Sequence, residues 1–329
     1  YNGYQSLLGA YAMVDLPLME KLRMEAGLRY EGNNMVTESL NKSIEKGELN
    51  DHDILPAINL TYAIIDNMNL RFAYTRTLSR PTFREIAPFA SFSPVAPTIV
   101  GNPDLKRTLI DNFDLKWEYF LRSGDIISFG LFYKNFMNPI EMVDNPVAVN
   151  PEISYQNVDK AKNYGFEVDF RKKLDFINAF SNMSFGLNFA YIKSEVSIDE
   201  LELESIRALD PEHPDTRPLF GQAPYIVNAL LAYANNELGL NANLIYNVTG
   251  PRISLVTKGG TPEVYQQPFN GLDFNISKTI GKYFTLAVNA DNLLNSINKE
   301  VYTYKEVDYS FYEYSLGRTF GIKLAYNFK

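Results

Sequence analysis

Cysteine is missing from all 329 residues, so disulfide scaffolds, thiolate metal sites and cysteine nucleophiles are excluded together. Histidine occurs only twice and tryptophan once. Surplus basic charge is missing too: 31 Lys and Arg face 39 Asp and Glu, a net −8 with pI near 5.0, which argues against nucleic acid as a partner. A helical membrane protein is also excluded, because no run approaches the ~18 apolar residues a spanning helix needs. The longest candidate, Tyr225 to Ala234, is ten residues broken by Asn228. Neither an initiator Met nor the basic, apolar and small-residue regions of a signal peptide precede Tyr1, and the chain is read as a fragment or a processed product.

What is present is apolar and aromatic. Hydrophobic residues make up 46% and charged residues 21%, the proportions of an ordered chain. Tyr and Phe number 22 each, and they recur in short alternating runs that signal strands. In Leu22 to Tyr30 the even positions are apolar, while Arg23, Glu25, Gly27 and Arg29 hold the odd ones. Period two sends these sets to opposite faces. The same split appears in Met183 to Tyr191, Leu238 to Val248, Phe284 to Asp291 and Thr319 to Phe328.

About thirteen strands are expected, over residues 5–15, 21–31, 54–65, 68–79, 110–121, 125–137, 161–173, 183–196, 223–234, 238–249, 268–279, 283–292 and 315–328. Tight connections at Asp66-Asn67, Arg122-Ser123-Gly124, Asn235-Asn236-Glu237 and Gly281-Lys282 separate long segments at 32–53, 80–109, 138–160, 197–222, 250–267 and 293–314. Short and long connections therefore lie at opposite ends, as in an outer-membrane barrel with short periplasmic turns and long extracellular loops. A soluble sandwich or propeller would alternate as well. Runs of about ten residues, aromatics at run ends and the loop asymmetry favour the all-β antiparallel transmembrane barrel. Its apolar set meets outer-membrane lipid. Its inward set includes Arg23, Arg29, Lys116, Glu118, Glu167, Asp169, Arg171 and Lys323, lining a wet or plugged lumen. An odd strand number implies further strands upstream, since an open sheet would leave backbone groups unpaired in hydrocarbon.

The run Asn69-Leu-Arg-Phe-Ala-Tyr-Thr-Arg-Thr-Leu-Ser-Arg-Pro-Thr-Phe-Arg-Glu-Ile-Ala-Pro-Phe89 resembles the barrel of TonB-dependent outer-membrane receptors. Further matches follow in order: Gly101 to Phe120, Asn157 to Phe170, the Asp291-Asn-Leu-Leu-Asn295 motif, and the closing Gly317 to Phe328. The resemblance covers about residue 5 to 328. It implies a 22-stranded barrel around an N-terminal plug, of which residues 1–329 form the C-terminal portion of a single barrel domain. Plug, TonB-contacting segment and early strands would be absent from this sequence. It further implies energised import: a ligand binds at the extracellular mouth, and a motor acting through TonB rearranges the plug of the same polypeptide. Phe328 resembles the terminal aromatic read by barrel-assembly machinery, although Lys329 follows it here.

Family ligands include iron chelates, cobalamin, oligosaccharides and peptides, and no motif selects among them. Candidates for the mouth are Arg76, Arg80 and Arg84, four residues apart and able to form a cationic ladder, with Glu85 beside them. A structural clamp on the neighbouring wall is the simpler use of those arginines. His213 and Asp215 lie in Asp210-Pro-Glu-His-Pro-Asp215, which could hold a cation but reads more simply as a stiffened polar loop. Tyr304 and Tyr309 belong to a Tyr-rich segment that could stack on sugars or chelators, or serve as interface girdle. The acidic run Asp199 to Glu204 could attract divalent cations shared with lipopolysaccharide, or be a solvated face. His52 is the second histidine, also in a long segment. No resident metal or cofactor is expected, and no nucleophile elbow, HExxH or phosphate loop supports an enzyme. A passive porin or adhesin, and more remotely an outer-membrane hydrolase, remain the other classes.

Overall fold

The computed structural model describes residues 1–41, 46–93, 96–122, 124–144 and 152–328. Ser123 of the expected tight turn and the terminal Lys329 lie outside them. Thirteen long strands form one antiparallel sheet in which each pairs with its neighbour in sequence. They are β1 (Asn2–Met19), β2 (Leu22–Glu38), β3 (Gly47–Ile65), β4 (Met68–Ser79), β5 (Thr108–Arg122), β6 (Asp125–Met137) and β7 (Lys160–Lys173). The remaining six are β8 (Met183–Ser197), β9 (Tyr225–Asn235), β10 (Leu240–Thr249), β11 (Phe269–Ile280), β12 (Phe284–Asp291) and β13 (Thr319–Tyr326). Among the described residues β1 pairs only with β2, and β13 only with β12.

Register converts the sequence alternation into two continuous faces. Asp169 stands opposite both Ser128 and Asn188, and Glu118 opposite Ser128, so the polar positions of β5 to β8 fall in one row. On the other face Phe166 makes ring contacts with Phe129, Phe189 and Tyr191 at 5.8 to 5.9 Å. Large apolar side chains of this face stay exposed, Leu115, Phe129, Leu131 and Tyr191 among them, as a face that meets lipid requires. No helix among the described residues is long and apolar enough to cross a membrane. The crossing elements are strands.

The buried hydrophobic clusters all sit at the end with the long connections. Met35 and Leu49 pack on Ile86; Val143 packs with Ile253 and Val256; Ile153 with Leu255 and Val264; and Ala161 with Val196 and Leu219. Segments expected as loops hold short strands there: Ala90–Ser93, Ala96–Val100, Ile140–Asp144 and Glu152–Asn157 make one four-stranded sheet. Arg252–Leu255, Val264–Gln266, Asn298–Tyr304 and Val307–Tyr314 make a second. A parallel bridge between Val143 and Val256 joins the two, with the Asp144 N–H donating to Val256 O at 2.8 Å. These strands are too short to show a period, and several find partners only in distant sequence. The first three wall strands also run longer than expected, because the pairing of Asn33 to Thr37 with Gly47 to Asp51 continues into the mouth.

Candidate functional site

One end of the inner face is built from ion pairs. Arg71 donates to Glu118 at 2.6 Å, Lys116 lies 3.6 Å from Glu118 and 3.5 Å from Asp169, and Asn188 donates to Asp169 at 2.7 Å. Higher on the same face Glu31 is held by Arg29 at 2.5 Å and by Arg80 at 2.9 Å, and Arg107 grips Asp53 at 2.5 Å. From β8 onward the row changes character. Asn228 donates to Asn188 at 3.3 Å, Asn247 stands opposite Asn228, and Asn243 donates to Asn275 at 2.8 Å. The inner face is therefore charged on one side and carboxamide-lined on the other.

The segment after β4 folds back against β2 and β3. Thr82 caps the single-turn helix α1 (Phe83–Ile86) with a reciprocal bond to Glu85, and Ile86 and Ala87 are fully buried. Gly47 and Gly101 make this approach possible, since a Cβ on either would lie 2.5 Å from Ile86 O or 2.0 Å from Ala87 O. Asn292 performs a comparable task at the far side. In the left-handed conformation, φ 53°, its side chain donates to Ser296 O and Gly317 O while its N–H donates to Asp273. The Asp291 to Asn295 motif thus fastens β11, β12 and β13 where wall becomes mouth.

The mouth itself encloses a cavity of about 1610 Å³ between helix α2 (Glu200–Arg207), the 257–263 loop and the 303–306 hairpin tip. Asp199 caps α2, and Glu202 accepts from the N–H groups of Gly259 and Gly260 at 3.2 and 3.3 Å, which ties helix to loop. On the cavity wall Arg217 is 9% exposed and grips the fully buried Glu141 with two bonds, at 2.9 and 2.5 Å. Its Nε also meets Glu263 at 3.2 Å. Burial pushes the Glu263 carboxyl above the usual range, with Arg217 opposing. Burial, with Glu263 beside it, likewise pushes the Tyr265 phenol up.

The residues singled out in sequence scatter across this frame. Arg76, Arg80 and Arg84 do not share a face, so no ladder forms. Arg76 pairs with Asp111 at 2.8 Å and lies on the apolar outer face, where Tyr74 also donates to Asp111. Arg80 turns inward to Glu31, whereas Arg84 sits in α1 with a long 3.5 Å contact to Ser91. The alternation fails because the strand ends at Ser79. Glu85 completes the α1 cap. Asp215 pairs with Arg207, which also donates to the His213 carbonyl, while His213 lines the cavity. Tyr304 lines it too, and Tyr309 stacks on Tyr302 at 5.4 Å. His52 meets Tyr30 at 2.7 Å on the outer face. Arg23 pairs with Asp15. Register puts Glu167, Arg171 and Lys323 on the inner face with their neighbours. Phe328 is exposed beside Tyr326, with ring centroids 4.6 Å apart.

Sequence reasoning missed Glu141, Arg217, Glu263 and Tyr265, while Glu202 of the acidic run it did single out accepts from the Gly259 and Gly260 N–H groups. Glu141 and Arg217 are 76 residues apart, and nothing local to either marks the pair.

The family described as TonB dependent receptor-like, beta-barrel matches residues 1–293. Among solved structures, the ferric yersiniabactin uptake receptor FyuA of Yersinia pestis is 17% identical, covering 99% of this chain and 46% of that one, with TM-score 0.66. A mutant of the ferric enterobactin receptor PfeA of Pseudomonas aeruginosa is 16% identical over 98% and 45%, TM-score 0.61. The siderophore receptor PiuA of Acinetobacter baumannii is 12% identical over 98% and 43%, TM-score 0.68. This chain thus spans about half the length of these receptors. No curated protein matches it.

Proposed function

The chain belongs to the TonB-dependent receptor-like β-barrel family of the bacterial outer membrane, and from that premise we propose that it supplies wall and outer mouth to an energised uptake receptor. The observation that carries this reading is the large cavity held open at the end of a wall with one lipid-facing and one polar face. A porin needs a wet channel. It does not need a mouth whose elements are tied to one another by Glu202 and Arg217.

On this reading residues 1–329 are the C-terminal portion of one barrel domain. Further strands complete the sheet, because unpaired edges of β1 and β13 would each leave backbone groups unsatisfied in hydrocarbon. A plug of the same polypeptide fills the lumen, a segment outside this sequence engages TonB, and Phe328 serves the barrel-assembly machinery. The ligand is a compound too large or scarce for porins, of the iron chelate, cobalamin, oligosaccharide or peptide kind. The iron chelates named for the neighbouring receptors are the first to try.

The test uses the full-length native protein. Cells with and without TonB are compared for accumulation of radiolabelled ferric chelates and fluorescent neutral oligosaccharides, and purified protein is examined in planar bilayers. Accumulation that needs both this protein and TonB, with no standing conductance, is the expected result. Equal accumulation without TonB, or a stable open pore, would establish a passive porin instead.

A further inference from the structure

The short-turn end of the wall carries one exception. Two or three residues join β1 to β2, β3 to β4 and β11 to β12, but β7 ends at Lys173 and β8 begins only at Met183, which leaves nine residues, 174–182. The segment is ordered by its own bonds: the Ile177 N–H donates to Leu174 O at 3.1 Å, the Phe180 N–H to Ile177 O at 2.8 Å, and Asn178–Phe180 form one 3-10 turn. It is also tethered. Arg122 donates to Asp175 and to Asp125, each at 2.6 Å, and Asp125 accepts further bonds from Lys172 at 3.1 Å and the Lys173 N–H at 2.9 Å. Lys172 shares a face with Phe166 and Phe170, and Asp125 shares it with Phe129, so the tether lies on the face that meets lipid. The turn is held at the lipid side of the rim. There it displays Phe176, 68% exposed, with Ile177 at 43% and Phe180 at 44%.

We propose that residues 174–182 are a wedge seated in the periplasmic leaflet of the outer membrane, with Phe176, Ile177 and Phe180 below the headgroups and Arg122 and Lys172 level with the phospholipid phosphates. Two observations select lipid as the occupant. The first is continuity: the lipid-facing surface runs through Phe166 and Phe170 to Phe185, whose ring lies 6.1 Å from that of Phe170 and which stands opposite Lys172 at the rim. The second is charge. Asp125 has no exposed side-chain surface, whereas Arg122 keeps 43% and Lys172 29% against 36% for Asp175, so the cluster turns more cation than anion outward. Apolar insertion and basic contact with a phosphate surface hold a segment together better than either does by itself. Aromatics such as Trp117 and Tyr119 stand on the ladder of β5 and reach the interface with side chains only. Here the backbone leaves the sheet and enters the interface.

Spin-label depth measurements test this. Full-length protein in a cysteine-free background carries one nitroxide, at Phe176→Cys, Leu131→Cys or Asp66→Cys, and each variant is checked for heat-modifiable barrel mobility. In vesicles of phosphatidylethanolamine and phosphatidylglycerol, collisions with oxygen and with a nickel chelate give the depth of each label. Leu131 marks the lipid-facing wall and Asp66 a short turn in water. The label at 176 is expected about 5 to 10 Å inside the headgroup boundary. A label at Ile177→Cys should sit there too, and return to water when Phe176→Ser and Phe180→Ser are added. A 176 label as open to the nickel chelate as the one at 66 overturns the wedge, and one shielded from both reagents overturns it in favour of packing against protein. A Leu131 label open to the chelate would remove the lipid-facing wall and the wedge with it. TonB-dependent uptake alongside a water-exposed 176 label would leave the receptor reading standing and remove only the wedge.

Discussion

Replacing Glu141 with Gln tests whether the mouth is held by a single buried carboxylate. That side chain is fully buried and accepts three bonds: from Arg217 at 2.9 and 2.5 Å, and from the Phe220 N–H at 3.3 Å. A carboxamide keeps the shape but turns one acceptor into a donor facing the guanidinium. Breaking a buried pair from one side costs about 3 to 5 kcal/mol. Because Arg217 retains Glu263 at 3.2 Å, the lower figure applies. The loss is local. Glu141 fastens the segment around Arg217 and Phe220 to strand Ile140–Asp144, so the opening of residues 198–222 is affected and not the wall. About 3 kcal/mol is roughly a hundredfold in the opening equilibrium. Limited trypsin digestion of the full-length protein in detergent reads this directly, as cleavage after Arg207 within α2, since the rate follows the open population when reclosing is fast. Glu141→Gln should be cut about a hundred times faster while the heat-modifiable barrel band is unchanged. Combining it with Arg217→Met and Glu263→Gln should recover much of the loss, because all three charges of the cluster then leave together. Cleavage of Glu141→Gln within about threefold of wild type would refute the reasoning.

Glu263 predicts the opposite kind of effect. Its folded pKa lies above the unfolded value, so its stabilising contribution is full below the unfolded carboxylate pKa and is lost as pH rises through the raised folded value. Glu263→Gln should flatten the fall in protease resistance as pH rises above the unfolded carboxylate value of about 4.3, and an unchanged profile would mean another group is responsible. On the outer face Phe189→Arg, at the centre of β8, should cost about 2 to 4 kcal/mol and block membrane assembly. Leu286→Arg, three residues into β12, where its partner Lys278 lies near the short turn, should cost about 0 to 1 kcal/mol, so equal assembly of the two variants would undo this depth assignment. At the hairpin tip Lys305 and Glu306 have φ of 49° and 63°, a two-residue turn that favours Asn-Gly. Changing both to Asn-Gly should slow amide exchange of Tyr304 and Val307 by stabilising the turn about 1 to 2 kcal/mol, and unchanged exchange would count against strain at the tip.

Much of the wall was legible in the chain because one physical period sets it. A strand facing lipid on one side and polar groups on the other must alternate, so Phe189, Asp169 and Lys116 were assigned to faces from spacing alone, and the pairing register agrees. The short turns and the family resemblance were equally local, carried by contiguous runs such as Asp291 to Asn295.

The mouth was decided by tertiary structure. Its strands are three to eight residues long, too few for a period to emerge, and its core joins Val143 to Ile253 and Val256 across the whole 198–222 segment. Arg76 and Arg80, four residues apart, reach opposite faces because the strand ends between them and the chain turns inward toward Glu31. Arg217 carries no sign in its neighbourhood that it will be buried between Glu141 and Glu263. Spacing sets which face a residue takes when a regular ladder repeats it. Where short segments are fixed by distant partners, as around the mouth cavity, only the packed chain determines what stands beside what.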